Sequence, residues 1–208
     1  ELVNDHIPIS IFKGNAPISF IETTYLDTRD HLLFHEYLQS RPFRFKIRMR
    51  RYGDSGGFED QYHVELKVKY SGVSIKRRFI LPAAYLKDFL KCKDLKKEIK
   101  EANKGLSGTQ KSYKIISKLI SLNNLQPVLR TRYERIAFQK KTGRIRVTVD
   151  RNIVHEKING ATKLDNLDAI ILESKIMGTT PKWHKKLVNR LSLLQQQRFS
   201  KYATGMNS

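Results

Sequence analysis

The 208-residue chain carries 40 Lys and Arg against 20 Asp and Glu, a formal charge of +20 at neutral pH, with 39% hydrophobic residues. That length suits one domain with a sizeable core, and the charge points to anionic partners: nucleic acid, phosphorylated small molecules, polyphosphate or a membrane surface. The lone cysteine, Cys92, excludes an intrachain disulfide, and no apolar run approaches the roughly 20 residues that span a bilayer.

The chain opens at Glu1 without a methionine or a secretory signal, as expected of a piece of a longer protein. Residues 18–27, ISFIETTYLD, are β-branched and aromatic and predict a strand. In DTRDHLLFHEYLQS, Leu32, Leu33, Tyr37 and Leu38 recur at helical spacing, with Asp27 or Thr28 placed to cap the start. FRFKIRMRRYG (43–53) is the next strand, followed by the glycine-rich turn GDSGGFEDQ. YHVELKVKYSG and VSIKRRFILP read as two strands joined at Ser71-Gly72. From Pro82 to about Asn124 the pattern turns helical, with GLSG between AAYLKDFLKCKDLKKEIKEANK and KSYKIISKLISLNN. Strands return with PVLRTRYERIAFQ, a turn at 141–143, RIRVTVDRNI and, after a polar loop, AIILESKIM. A last helix, PKWHKKLVNRLSLL, starts at Pro181, and its Trp183 and Leu187 are expected to pack on the sheet. No internal repeat or domain boundary interrupts residues 1–208.

Side chains alternate between the two faces of a strand. In FRFKIRMRRYG, Arg44, Lys46, Arg48 and Arg50 share one face, and Phe45, Ile47 and Met49 the other. The same pattern sets His63, Glu65, Lys67 and Lys69 against Val64, Leu66 and Val68. It sets Arg144, Arg146, Thr148 and Asp150 against Ile145, Val147 and Val149, aligns Lys76 with Arg78, and aligns Glu173 with Lys175. PVLRTRYER is expected to add Arg130 and Arg132 to the charged face. One wetted face is common in antiparallel sheets, but solvated faces usually mix Thr, Ser, Gln, Lys and Glu. A sheet of this kind can close into a barrel. With helices over the apolar face, the cations would line a tunnel and repel one another unless an anion filled it. Arg forks and Lys ammoniums suit a chain of phosphates, and the few carboxylates could share a divalent cation with it.

The pieces YLDTRDHLLFHEYLQ, KIRMRRYGD, VELKVK, SIKRRF, PVLRTRYERIAFQ, RIRVTVD, ILESK and FSKYATG, in this order, resemble the triphosphate tunnel metalloenzyme (CYTH-like) superfamily. Within it the chain is most similar to the catalytic domain of the vacuolar transporter chaperone (VTC) complex. The resemblance implies an α+β fold, a closed antiparallel β-barrel with helices packed outside. It implies a polyphosphate polymerase that moves the γ-phosphate of ATP onto a growing polyphosphate chain with a divalent metal, Mn²⁺ or Mg²⁺. Carried over position by position, Arg48, Arg50, Lys67, Arg130 and Lys201 would be catalytic. Lys76, Arg146, Lys175 and Ser200 would bind phosphate, and Glu173 and Glu65 would hold the metal. The family's opening basic strand has no clear counterpart; HIPISIFKG, with Lys13, is the nearest match, and without that strand the barrel would be incomplete. Such a domain would work in the cytoplasm or on the cytoplasmic face of a membrane, next to a membrane subunit or further domain. Water as acceptor would make it a triphosphatase, and binding without turnover a polyphosphate-binding module. A nucleic-acid groove is not expected, because carboxylates interrupt the cations and Phe43, Phe45 and Tyr133 lie mostly on the apolar parity.

GDSGG resembles the nucleophile loop of serine proteases but falls between two strands, where it makes a turn. The six His lack zinc spacing. His63 alone shares a face with Glu65 and Lys67. No phosphate loop of the GxxxxGK[ST] type or GxGxxG fingerprint is present. The lysines between Lys87 and Lys118 read as a solvated helix face.

Overall fold

A computed structural model describes residues 3, 5–10, 17–140, 142–158, 164–191 and 199–207. Lys13 lies outside them. Nine strands form one antiparallel sheet in the order β5–β4–β2–β1–β6–β7, with β8 and β9 both on the far edge of β7 and β3 on β2. The strands are β1 (Ile18–Asp27), β2 (Phe43–Asp54), β3 (Gly57–Phe58), β4 (Gln61–Tyr70), β5 (Val73–Pro82), β6 (Gln126–Gln139), β7 (Ile145–Lys157), β8 (Leu164–Leu167) and β9 (Ile171–Ile176). The helices are α1 (Leu32–Leu38), α2 (Leu86–Leu90), α3 (Lys96–Ala102), α4 (Thr109–Leu122), α5 (Lys182–Arg190) and α6 (Lys201–Asn207).

The α+β class holds, but the expected closed barrel does not form. Among the described residues no ladder joins β5 to β8 or β9. Closure needs a partner along the whole free edge. Here β5 is 10 residues long, whereas β8 and β9, of 4 and 6 residues, divide the edge of β7 between them. The sheet is instead open and curled. Lys175 on β9 acts electrostatically on Lys67 of β4, so strands separated by β2, β1, β6 and β7 face each other.

The alternation decides which side is covered. Phe45, Ile47, Met49, Val64, Leu66, Phe79 and Leu81 form a buried cluster with Phe89, Ile99, Tyr113, Ile116 and Ile120 of α2, α3 and α4. Val147 and Phe138 bury against Val3, Ile7 and Leu187, with Trp183 packed alongside, so α5 covers the apolar side of β6, β7 and β9. The long helix expected after Pro82 is broken: α2 ends and Cys92 adopts a left-handed φ of 56° before α3 begins. GDSGG turns tightly, as expected. A side chain at Gly53 would lie 2.4 Å from the Gly57 carbonyl, and Asp54 accepts the Gly56 N–H at 2.9 Å.

Candidate functional site

Paired residues of adjacent strands place their side chains on the same face, so the ladder register builds the site. From β2 across β4 to β5, one row is Arg50–His63–Ile80, the next Arg48–Glu65–Arg78, and the third Lys46–Lys67–Lys76. On the other side of β2, Arg50 pairs with Thr23 and Arg48 with Tyr25, and Thr23 pairs with Thr131 of β6. Further along, Ser19 pairs with Arg135, Arg135 with Asp150, Thr148 with Glu173, and Arg146 with Lys175. One concave face therefore collects cations from β2, β4, β5, β6, β7 and β9, with Glu65, Asp150 and Glu173 among them.

The seven-residue α6 sits against this face. Tyr202 stacks on Tyr25 at 4.9 Å and its hydroxyl donates to Asp27. Asp27 is fully buried and also accepts the N–H groups of Thr28, Leu33 and Phe34, tying α6 to the start of α1. Thr28 accepts the Leu32 N–H at 2.9 Å, so both expected capping residues serve α1. The segment entering α6 bridges the face. Ser200 Oγ accepts from Lys46 Nζ at 3.0 Å, and Lys201 Nζ donates to Asp150 Oδ2 at 2.6 Å.

Charge on this face is only partly balanced. Arg48 Nε meets Glu65 Oε2 at 2.6 Å, and Asp150, with no exposed side-chain surface, takes Arg135 at 2.6 Å as well as Lys201. Burial alone would push the Asp150 carboxyl up, but Arg135 and Lys201 hold it below the usual carboxylate range. The same balance lowers Glu65 through Arg48 and Arg50, and Glu173 through Lys175, Arg135 and Lys201. Lys46 goes the other way. Burial, then the charges of Lys67, Arg44 and Arg48, push its ammonium down to about 8. Burial, then Lys76, Arg48 and Lys175, lowers Lys67 too. These lysines sit where positive charge exceeds negative.

Of the residues expected at the site, Arg48, Arg50, Lys67, Lys76, Arg146, Lys175, Lys201, Ser200, Glu65 and Glu173 come to this one face. Arg130 does not. It pairs in register with Thr24 and Glu156, on the opposite side from Thr23 and Thr131. There its guanidinium meets Glu156 at 3.1 Å and Glu22 at 3.8 Å, beside Arg132, which meets Glu22 at 2.9 Å. Arg135 of the same strand, which the alternation did not single out, takes the inward place. The signal for it would have been β6's odd parity, Thr131, Tyr133, Arg135. His63 is held edge-on to Tyr52 at 5.1 Å, and burial lowers its pKa.

Among the described residues, no three His, Cys, Asp or Glu converge into a cage for a metal. The donor chemistry fits a hard cation in one way. Mg²⁺ and Mn²⁺ are commonly held by one or two carboxylates with the rest supplied by substrate phosphates and water. Glu173, with 48% of its side chain exposed and Lys175 at 3.2 Å, is free enough for that; Glu65 is committed to Arg48.

The VTC domain family model matches residues 1–208. The chain belongs to the VTC domain family. Subunit 4 of the vacuolar transporter chaperone complex from Trypanosoma brucei brucei is 27% identical over 97% of this chain and 31% of its own length. The Schizosaccharomyces pombe subunit 4 is 24% identical over 98% of this chain and 34% of its own. This VTC domain thus spans about a third of the length of the curated relatives it matches. Among solved structures, the PH1819 protein from Pyrococcus horikoshii OT3 superposes with a TM-score of 0.47 at 10% identity, over 99% of this chain and 90% of that one.

Proposed function

We propose that this VTC domain is a polyphosphate polymerase, transferring the γ-phosphate of ATP to the terminal phosphate of a growing chain on its concave cationic face. The observation that carries the reading is the convergence of Arg48, Arg50, Lys67, Arg135 and Lys201 from three strands and α6 onto one side of the sheet. Membership of the VTC domain family over residues 1–208 supports it. Phosphoryl transfer asks the protein mainly for positioning and charge neutralisation. Arg50, 9% exposed and hydrogen-bonded to Thr23 at 3.2 Å, is fixed enough to orient an anion. Arg48 and Lys67 flank it, and Lys201 and Arg135 face it from across the sheet. Lys76, Arg146, Lys175 and Ser200 extend the polar lining. Arg130 stays outside this set. A divalent cation, Mn²⁺ or Mg²⁺, would be held by Glu173, while Glu65 stays paired with Arg48, and would neutralise charge on the phosphates when bound.

The relatives' membership of a complex supports a setting beside other subunits, and we extend the proposal to the cytoplasmic face of a membrane, with those subunits receiving the product. No described helix is long and apolar enough to cross a membrane.

The test is incubation with ATP and Mn²⁺, with and without a short polyphosphate primer, read on a polyphosphate-stained gel and by free phosphate. Lengthening chains with little free phosphate are expected. Free phosphate without chains would make the domain a triphosphatase, and neither product would leave it a binding module. Arg50→Ala and Glu173→Ala are each expected to abolish chain synthesis while the far-ultraviolet circular dichroism is unchanged; full activity in both would remove this face from the reaction.

A further inference from the structure

Four rows cross β2, β4 and β5 on the concave face, Arg50–His63–Ile80, Arg48–Glu65–Arg78, Lys46–Lys67–Lys76 and Arg44–Lys69–Ser74, and of these one sets a cation on all three strands. Arg48–Glu65–Arg78 contains its own counter-charge. Lys46–Lys67–Lys76 contains none: three ammoniums lie on neighbouring strands, each directly opposite the next. Like charges directly opposite one another destabilise a sheet. Lys46 is the innermost of the three, and Lys67 and Lys76 are exposed. The ammonium of Lys46 lies 3.7 Å from the Tyr37 ring centre and 3.0 Å from Ser200 Oγ, and among the described residues no carboxylate pairs with it. Two aromatic rings and a hydroxyl hold a cation in place without neutralising it. Such a row costs stability in the free protein and is compensated only when an anion arrives.

We propose that Lys46 is a further phosphate-binding residue, which completes with Lys67 and Lys76 a three-lysine subsite for one phosphate group of the tri- or polyphosphate on this face. The inference rests on the anion-binding reading above and adds to it a named residue and a protonation linkage. The groups facing Lys46 give the sign. Arg44 and Arg48 on its own strand and Lys67 on β4 disfavour its charge, with Asp27 on β1 as the counterweight. Tyr37 on α1 and Tyr202 on α6 present rings, at 3.7 and 5.5 Å. Since its pKa lies near 8, part of the Lys46 population is neutral at pH 8. A bound phosphate favours the charged form, so binding takes up protons there. The Lys46 contribution to affinity is flat below about pH 7 and falls as pH rises through about 8.

The experiment is calorimetric titration of the full chain with inorganic tripolyphosphate, in buffers of different ionisation enthalpy at pH 7 and 8. Lys46→Gln is expected to weaken binding about tenfold at pH 7 and to raise the melting temperature of the ligand-free protein. Lys46→Arg, always charged, is expected to keep the affinity and lose the Lys46 share of the proton uptake at pH 8. It decides the matter alone if Lys46→Gln does not fold. Wild-type affinity in Lys46→Gln, or wild-type proton uptake in Lys46→Arg, overturns the proposal. A wild-type protein that binds no tripolyphosphate overturns the anion-binding reading with it, whereas binding that ignores Lys46 overturns the subsite alone.

Discussion

Asp150 shows how one residue decides whether the cationic face holds together. It has no exposed surface and two cationic partners, Arg135 and Lys201, each about nine-tenths buried. Breaking a buried pair by removing one partner leaves an uncompensated charge and costs about 3–5 kcal/mol. Asp150→Asn is therefore expected to lower the unfolding free energy by that order in urea melts and to reduce chain synthesis. A variant as stable as the wild type would show that solvent already screens these charges. The titration of the face follows from the same residues. Asp150, Glu65 and Glu173 have lowered pKa values in the fold, so their stabilisation is present above the unfolded value near 4 and is lost as pH falls below it. Lys46, at about 8, and Lys67 are also lowered, which for a cation means that the unfolded chain binds more protons between about pH 8 and 10.5. Ligand-free stability is expected to rise from about pH 8 to 9, below the range near 10 where the raised phenols of Tyr25 and Tyr202 act in the opposite direction, and a fall between pH 8 and 9 in denaturant melts would refute the assignment.

At the scale of elements, the strands with one apolar side were readable and those without one were not. In β2, β4, β7 and β9 the alternation of Ile47, Val64, Val147 and Leu172 with cations set both the strand and its facing. In β6 both parities are polar around residues 130–135, because the outer side there is balanced by Glu22 and Glu156 rather than covered by a helix. Nothing local told Arg130 from Arg135. The break between α2 and α3 lacks a Gly or Pro signal, and Cys92 takes the left-handed turn. Sheet closure depends on how strand edges meet, which alternation does not record. The helix α6, KYATGMN, is too short to show a helical period and is specified by what it packs on. Gly205 is the tightest of those contacts. A β-carbon there would lie 2.5 Å from His155 Nδ1 and 2.9 Å from a Leu129 methyl. Both neighbours are buried, so the helix must move. Gly205→Ala is expected to destabilise the protein by about 1–3 kcal/mol and to lower kcat more than it raises the KM for ATP, because Lys201 leaves Asp150. An unaltered kcat in a folded variant would mean that Lys201 does not depend on the seat of α6.

Across the whole molecule, a charge of +20 would drive binding to any polyanion, so affinity alone identifies nothing. The distribution of the charge makes a sharper claim. Lysines between Lys87 and Lys118 lie on or beside the helices outside the sheet, whereas on the concave face Lys46, Arg50, Arg135 and Lys201 are partly or wholly buried and Lys46 is opposed by the more exposed Lys67 and Lys76, so only a ligand seated among them relieves strain that the fold already carries. A ligand that binds the folded state alone stabilises it by about 2.7 kcal/mol at a hundred times its dissociation constant, which in a domain of this size raises Tm by about 5–10 °C. Tripolyphosphate is expected to produce that shift and to keep most of it when monovalent salt is raised, since partly buried pairs are weakly screened. Duplex DNA is expected to bind the outer lysines, stabilise little and dissociate steeply with salt through counterion release. The measurement is a thermal melt with each polyanion at low and high NaCl. Equal shifts that collapse together in salt would mean that the curled sheet does no more than display its charge, and the concave face would lose its claim to be a site.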